Sequence, residues 1–171
     1  MRIELDRLEG DRTAFAHRYG PGELIIEEEQ ARLTEPPEVR GRLTRKGREV
    51  GLSGTVTARA EVDCDRCLRP ISVPLSADFD VKYISSEDYE AGQAAELQAE
   101  DLSFSVFRDG AIDVDELVRE QVLLALPTRA LCREECKGLC PACGADMNEQ
   151  PCGCGMRETD PRWEALKNLL P

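Results

Sequence analysis

A chain of 171 residues, 41% of them hydrophobic and 5% aromatic, suits one domain plus an appendage. Its formal net charge of -12 excludes a simple nucleic-acid-coating protein, because non-specific binding depends on Lys and Arg neutralising phosphates, and suits a basic protein partner better. No apolar run has the length of a membrane span, and Met1-Arg-Ile-Glu-Leu-Asp is charged where a secretory leader would be basic and then apolar; the expectation is a cytoplasmic chain with no membrane association and no small-molecule substrate.

Within Met1–Leu8, Ile3 and Leu5 alternate with Arg2, Glu4 and Asp6, which predicts an opening strand. Asp11–Tyr19 is polar around Phe15 and reads as one helical turn. It contains His17, the only histidine, so histidine-based metal ligation or acid–base catalysis has no second residue to build on. Over Leu24–Leu33 helix and strand compete, and the strand, ended by Pro36-Pro37, is preferred because more strands follow. Val39, Gly41 and Leu43 then share one face opposite Arg40, Arg42 and Thr44, and Lys46-Gly47 makes a turn. Val50, Leu52, Gly54, Val56, Ala58, Ala60 and Val62 hold a strict period of two, as do Ile71, Val73, Leu75, Ala77, Phe79, Val81 and Tyr83. These two runs predict a hairpin whose tip carries Cys64 and Cys67. Pro74 marks an edge strand or a bulge.

Ser85–Asp101 is acidic and poor in large apolar residues, and reads as a loop with a short helix. Leu102, Phe104 and Val106 predict a strand, and Asp109-Gly110 a turn. Asp113 is an N-cap with Glu116 three residues on, a capping-box pattern. Val114, Leu117, Val118, Gln121, Val122 and Ala125 follow at helical spacing, so a helix over 113–126 stops at Pro127 and covers one side of the sheet. At the far end, Asp160 and Pro161 are a good cap and first residue for a helix over 161–170. That helix carries Trp163, which reads as docking on the protein's own core or as an anchor for a partner. The fold expectation is α+β. A mainly antiparallel sheet, with a barrel-like curl, and one covering helix fill 1–127. A Cys-rich zinc-binding appendage fills 128–171.

Charge is unevenly spread. Residues 40–59 carry six basic residues, Arg40, Arg42, Arg45, Lys46, Arg48 and Arg59, against Glu49, a net of +5. Residues 87–120 carry eleven acids against Arg108 and Arg119, a net of -9. Two solvated surfaces explain this. So do two binding faces, one for RNA at Arg40, Arg42, Arg45, Lys46 and Arg48, and one for a protein partner at Asp113, Asp115, Glu116, Glu120 and Trp163. Glu116 and Glu120 read as capping and solvated side chains rather than as a catalytic pair, because no histidine, basic partner or phosphate loop is near.

Leu131–Gly155 holds six of the eight cysteines. Cys140-Pro-Ala-Cys143-Gly is a knuckle that points two sulfurs at one metal, and Cys152-Gly-Cys154 can close the shell. With Cys64 and Cys67, the count fits two zinc sites of four cysteines each. A disulfide framework suits a small secreted domain better than this chain. A thiol–disulfide enzyme needs its CxxC at a helix N-terminus, whereas Cys64-Asp-Arg-Cys67 lies between strands. An iron–sulfur cluster has the same ligand type, with zinc the usual tenant of closed knuckles. Two partitions are open. In the preferred one, Cys140, Cys143, Cys152 and Cys154 form a local site. Cys132 and Cys136 then reach Cys64 and Cys67, and the metal closes a long loop between helix end and sheet. In the other, Cys132, Cys136, Cys140 and Cys143 are local, and Cys64 and Cys67 pair with Cys152 and Cys154.

Taken in order, several pieces resemble the YceD family, the 23S rRNA accumulation proteins. They are the strands around Cys64-Asp-Arg-Cys67-Leu, the Ile112-Asp-Val-Asp-Glu-Leu helix ending Leu124-Ala-Leu-Pro127, Cys136-Lys-Gly-Leu-Cys-Pro-Ala-Cys-Gly144 with Asn148, and Asp160-Pro-Arg-Trp-Glu-Ala-Leu166. The resemblance covers roughly 43–170. It implies a cytoplasmic bacterial or organellar factor needed for large-subunit rRNA synthesis, processing or stability, and attaches no catalytic residue to the chain, so a non-enzymatic role is expected. The direct partner is then large-subunit rRNA or a pre-ribosomal particle. The alternative is an acidic adaptor or chaperone for a basic large-subunit ribosomal protein, with only an indirect effect on rRNA. A nuclease or redox enzyme fits the lone histidine and the knuckle spacing poorly.

Overall fold

The computed structural model describes residues 1–8, 10–26, 31–92 and 104–154. Leu102, most of the acidic stretch after Gly92, and the expected helix over 161–170 with Trp163 lie outside them. The chain divides into two compact units, one of Met1–Val62 with Ile71–Thr128, the other of Asp63–Pro70 with the chain from Arg129 onward.

The first unit begins with β1 (Arg2–Glu4), followed by a 3-10 turn over Leu5–Arg7. Then come β2 (Arg12–Arg18), β3 (Ala31–Lys46), β4 (Glu49–Asp63) and β5 (Pro70–Ser85). After them follow α1 (Ser86–Gly92), β6 (Phe104–Phe107), β7 (Ala111–Asp113) and α2 (Val114–Ala125). The main sheet has five strands in the order β2-β3-β4-β5-β6, and β1 pairs with β7 in a separate two-stranded sheet. β2 with β3 and β3 with β4 are antiparallel. β5 pairs with β6 in parallel, Lys82 opposite Phe104 through Ser85 opposite Phe107. The chain is α+β as expected, but the sheet is mixed and open, with β2 and β6 at its edges. The barrel-like curl therefore fails, while the mainly antiparallel expectation needs one amendment, the parallel pair of β5 and β6. Closure needs hydrogen bonds between the two edge strands, and β6, four residues long, spends its pairing on the end of β5.

The period-two runs form the strands they predict. Val50, Leu52, Val56, Ala60 and Val62 of β4 are buried, as are Val39 and Leu43 of β3 and Leu75, Phe79 and Tyr83 of β5. Helix α2 adds Val114, Leu117, Val118 and Val122 to the core. Val122 and Leu126 line one small cleft with Ala31, Leu33 and Ala60, which sets the helix against the buried face of the sheet. Its start is fixed by Asp113, whose carboxylate accepts from the N–H groups of Asp115 at 2.9 Å and Glu116 at 3.3 Å, satisfying donors that have no partner inside the helix.

Two expectations for the early chain are corrected. Asp11–Tyr19 is no helical turn but contains edge strand β2, in which half-buried Thr13, Phe15 and His17 alternate with exposed Arg12, Ala14, Ala16 and Arg18. Of the strand expected over Leu24–Leu33, residues 24–26 lie outside any strand and 27–30 lie outside the described residues, while β3 contains Ala31–Leu33 and does not end at Pro36-Pro37. The ladder shifts register between Leu33 and Glu35 and again before Glu38, and this bulge absorbs two residues that have no N–H to donate. The same stretch helps to hold β2, since Tyr19 N–H donates to the Pro37 carbonyl at 3.0 Å. Pro74 lies in a part of β5 beyond the reach of β6, which pairs only with 82–85, so locally it occupies an edge.

Candidate metal centres

The tip of the β4–β5 connection is a knuckle. Cys64 N–H donates to Arg69 O at 2.9 Å and Leu68 N–H to Cys64 O at 2.9 Å. The second knuckle repeats the turn, with Gly144 N–H donating to Cys140 O at 2.8 Å. In both, the residue after the second cysteine takes a left-handed conformation, at φ 58° for Leu68 and 74° for Gly144. Glycine accepts this freely, whereas a side chain is strained there.

These turns gather the eight thiols into two groups, Cys64, Cys67, Cys132 and Cys136, and Cys140, Cys143, Cys152 and Cys154. Within each group the sulfurs lie within 4.8 Å of one another. In the first, Cys64 and Cys136 sulfurs are 3.9 Å apart and Cys67 and Cys132 sulfurs 3.7 Å. A tetrahedral shell with metal–sulfur bonds of about 2.3 Å has edges of about 3.8 Å, so the donor set fits one metal ion per group. The first group is the more enclosed. Cys64, Cys67 and Cys136 are buried, with Leu131 and Leu139 packed against them. In the second, Cys140 is buried but Cys143 and Cys154 are exposed.

The electrostatics agree with this chemistry. Cys64 is brought down to about 6, first by the backbone N–H of Cys132 and then by that of Cys67, the former 3.4 Å from its sulfur. Cys140 is brought down to about 6 by the N–H groups of Ala142 and Cys143. Burial pushes Cys136 up, but the Gly138 N–H and the Asn148 amide outweigh it and its thiol lies below the ordinary range. Cys132 is pushed up to about 12 by burial and by the neighbouring sulfurs. Cys154 is pushed up to about 12 by the Cys143 sulfur first. Some thiols thus ionise readily while their neighbours resist a further negative charge, which is the condition a bound cation relieves.

A hydrogen-bonded frame holds the second unit together. The Asp65 N–H and carboxylate bond to Ala130 O and N–H, at 2.9 Å and 2.7 Å. Arg66 Nη1 donates to Cys136 O at 2.6 Å. Arg69 donates to Asp146 at 3.0 Å and Glu149 at 2.9 Å. Sequence reasoning missed Asp65, Arg66, Arg69 and Asp146 as parts of this frame. Asx-type spacing at Asp146-x-Asn148 was the one local signal.

The other residues singled out from the sequence divide. Arg42, Arg45 and Lys46 are exposed and have no carboxylate within salt-bridge distance among the described residues. Arg40, by contrast, bonds Glu38 through Nε at 2.6 Å, and Arg48 lies 3.4 Å from Asp88. Since β2 is a strand, Arg12 and Arg18 join the exposed face of Arg40 and Arg42, across the register Arg12–Thr44 to Arg18–Glu38; the helical-turn reading hid them. On the acidic side, Asp113, Glu116 and Glu120 line an open groove of about 480 Å³ with Tyr83, Arg2 and Arg108. Burial first, then Glu120, Glu116 and Asp113, push Tyr83 up to about 12. Asp115 is spent inside the fold, accepting from Tyr19 OH at 2.7 Å and from the Met1 ammonium. Burial works to raise it, yet these donors leave its carboxyl below the ordinary range. His17 faces Glu23 at 3.3 Å and stacks edge-on to Tyr19. No helix among the described residues is long and apolar enough to cross a membrane.

Among known proteins, the Mycobacterium tuberculosis protein Rv2926c is 32% identical over 119 residues, covering 70% of this chain and 55% of the relative. The Bacillus subtilis protein YlbN is 27% identical over 140 residues, 81% of this chain and 77% of the relative. The chloroplastic Large ribosomal RNA subunit accumulation protein YCED homolog 1 of Arabidopsis thaliana is 26% identical over 155 residues, 78% of this chain and 48% of the relative. The chain spans about half the length of the mycobacterial and plant relatives. No solved structure matches it. The family model described as Large ribosomal RNA subunit accumulation protein YceD matches residues 52–170, a stretch that contains all eight cysteines, and the chain belongs to that family.

Proposed function

We propose that this chain is a non-enzymatic cytoplasmic factor in large-subunit ribosome biogenesis, needed for synthesis, processing or stability of large-subunit rRNA, and that each thiol quartet holds a zinc ion. The observation that carries the reading is that both quartets fall inside the family match, while the plant relatives are named for rRNA accumulation. Four sulfurs in a closed shell support zinc as the metal. The RNA contact is assigned to Arg42, Arg45 and Lys46, with Arg12 and Arg18 on the neighbouring strand.

A second reading, docking of a basic ribosomal protein, is favoured by the groove in which Asp113, Glu116 and Glu120 converge. One experiment separates the two. A tagged chain is pulled down from cells, half the sample is treated with ribonuclease, and both halves are scored for large-subunit rRNA precursors and ribosomal proteins. Enrichment of precursors, with every protein partner lost on nuclease treatment, assigns the direct ligand to RNA. Arg42→Glu with Arg45→Glu then weakens binding and flattens its salt dependence. A basic protein that survives nuclease assigns it to the groove. No enrichment of either over a mock control contradicts the proposed function.

A further inference from the structure

Asn148 lies in the loop between Cys143 and Cys152, yet its side chain reaches the other quartet. Its Nδ2 donates to Cys136 Sγ at 3.4 Å and to Asp146 Oδ1 at 2.6 Å. Its Oδ1 accepts from Arg133 Nη2 at 2.7 Å and from Lys137 N–H at 2.8 Å. An asparagine amide offers two donors and two acceptor lone pairs, and here all four are used. Because both partners of Oδ1 are obligate donors, the amide cannot turn over, and Nδ2 is the end that faces the sulfur.

The loop bearing Asn148 is itself tied to the first knuckle. Leu139 N–H donates to Arg66 O at 3.1 Å, between Cys64 and Cys67, and Met147 N–H returns to Gly138 O at 2.9 Å. Asp146 Oδ1 also accepts from Asn148 N–H at 2.8 Å, while Arg69 grips its other oxygen. A continuous path thus runs from the knuckle of Cys64 and Cys67 through Arg69, Asp146 and Asn148 to Cys136. The same loop is closed at its ends by Cys140, Cys143, Cys152 and Cys154.

We infer that Asn148 is a positioning residue that couples the two quartets: a metal closing the second holds the loop shut, seats Asn148 against Cys136, and so raises the affinity of the first. The inference rests on the reading that both quartets bind metal. Ligand-orienting hydrogen bonds of this kind are worth about 10–100-fold in metal affinity, and coupling between two sites is reciprocal.

The test uses the full chain, stripped of metal under reducing conditions and titrated with cobalt(II) against a competing chelator. Four forms are compared: the parent chain, Asn148→Asp, Cys140→Ser with Cys143→Ser, and all three changes together. Asn148→Asp keeps the size and both acceptor contacts but loses both donors, to Cys136 and to Asp146, and sets a charged carboxylate oxygen against each. It is expected to weaken the first site about tenfold. It should also move that site's thiolate-to-cobalt charge-transfer band to lower energy, because a sulfur without its N–H donor gives up charge more easily; loss of packing alone would not move the band. The double cysteine change is expected to weaken the first site by a similar factor, and adding Asn148→Asp to it should cost little more. Far-ultraviolet circular dichroism of the sheet should be unchanged in every form. Equal first-site affinity and an unmoved band in Asn148→Asp, or full additivity in the triple variant, overturns the coupling alone. A parent chain that takes up no cobalt overturns both the coupling and the metal-centre reading.

Discussion

A methyl group placed on Gly138 would stand 2.9 Å from the carbonyl oxygen of Arg66, and Gly138 has φ 74°. Close approach and backbone conformation both call for glycine here, at the point where the Cys140 loop meets the Cys64 knuckle. Gly138→Ala is expected to destabilise the second unit by about 1–3 kcal/mol, read as a lower chelator concentration at half-release of metal.

Leu68 presents the opposite case. It holds the left-handed position that Gly144 fills in the other knuckle, and its side chain is 62% exposed. Leu68→Gly should relieve about 1 kcal/mol of backbone strain, reduced by the greater freedom of glycine in the unfolded chain. The expected result is a small gain in thermal stability. If the same variant loses rRNA or protein recovery in the pull-down, the leucine serves a partner rather than the fold.

The two centres should also part in kinetics. The exposed sulfurs of Cys143 and Cys154 admit a chelator, whereas the first group lies behind Leu131 and Leu139. Metal release to excess chelator should be biphasic, with the fast phase absent from a Cys140→Ser variant and the slow phase absent from Cys64→Ser.

Tyr83 reports on the acidic groove. A phenol whose folded value is raised from 10 to about 12 favours the fold while protonated. Its contribution is complete below pH 10 and is lost as pH rises through about 12. Stability in urea should therefore fall across that window in the parent chain and fall less in Tyr83→Phe. Glu120→Gln should shift the absorbance titration of Tyr83 to lower pH, because one of the charges opposing ionisation is gone.

The cap of α2 gives a simpler test. Asp113→Ala removes the acceptor of two N–H groups and should cost about 0.5–2 kcal/mol, while Asp113→Asn retains most of it. Urea denaturation of the three forms decides the matter.

The residues show why some of this was legible in the sequence and some was not. Alternation over Val50–Val62 and Ile71–Tyr83, and the cap at Asp113, are local signals read by neighbouring atoms, and each appears where it was expected. Strand β2 is hidden from a local reading because an edge strand buries only one half-covered row, here Thr13, Phe15 and His17, and its polarity resembles that of a turn. Pro36-Pro37 carries the local signature of a terminator, because the bulge that accommodates it is a property of the partner strand's register. The pairing of β5 with β6 in parallel joins segments separated by α1, and nothing local encodes it. For the quartets, spacing left two partitions open. What brings Cys132 and Cys136 to Cys64 and Cys67 is the set of contacts made by Asp65, Arg66 and Arg69, residues whose identity alone gives no hint of a partner 65 or more positions away.

Native mass spectrometry of the intact chain and its single cysteine variants decides whether the two quartets are separate metal centres. Two metal ions are expected on the parent chain, with loss of one and the same ion in Cys64→Ser, Cys132→Ser and Cys136→Ser, and loss of the other in Cys140→Ser and Cys152→Ser. A parent chain without metal, or a Cys132→Ser variant that loses the ion held by Cys140 while the Cys64 site stays filled, would contradict that assignment.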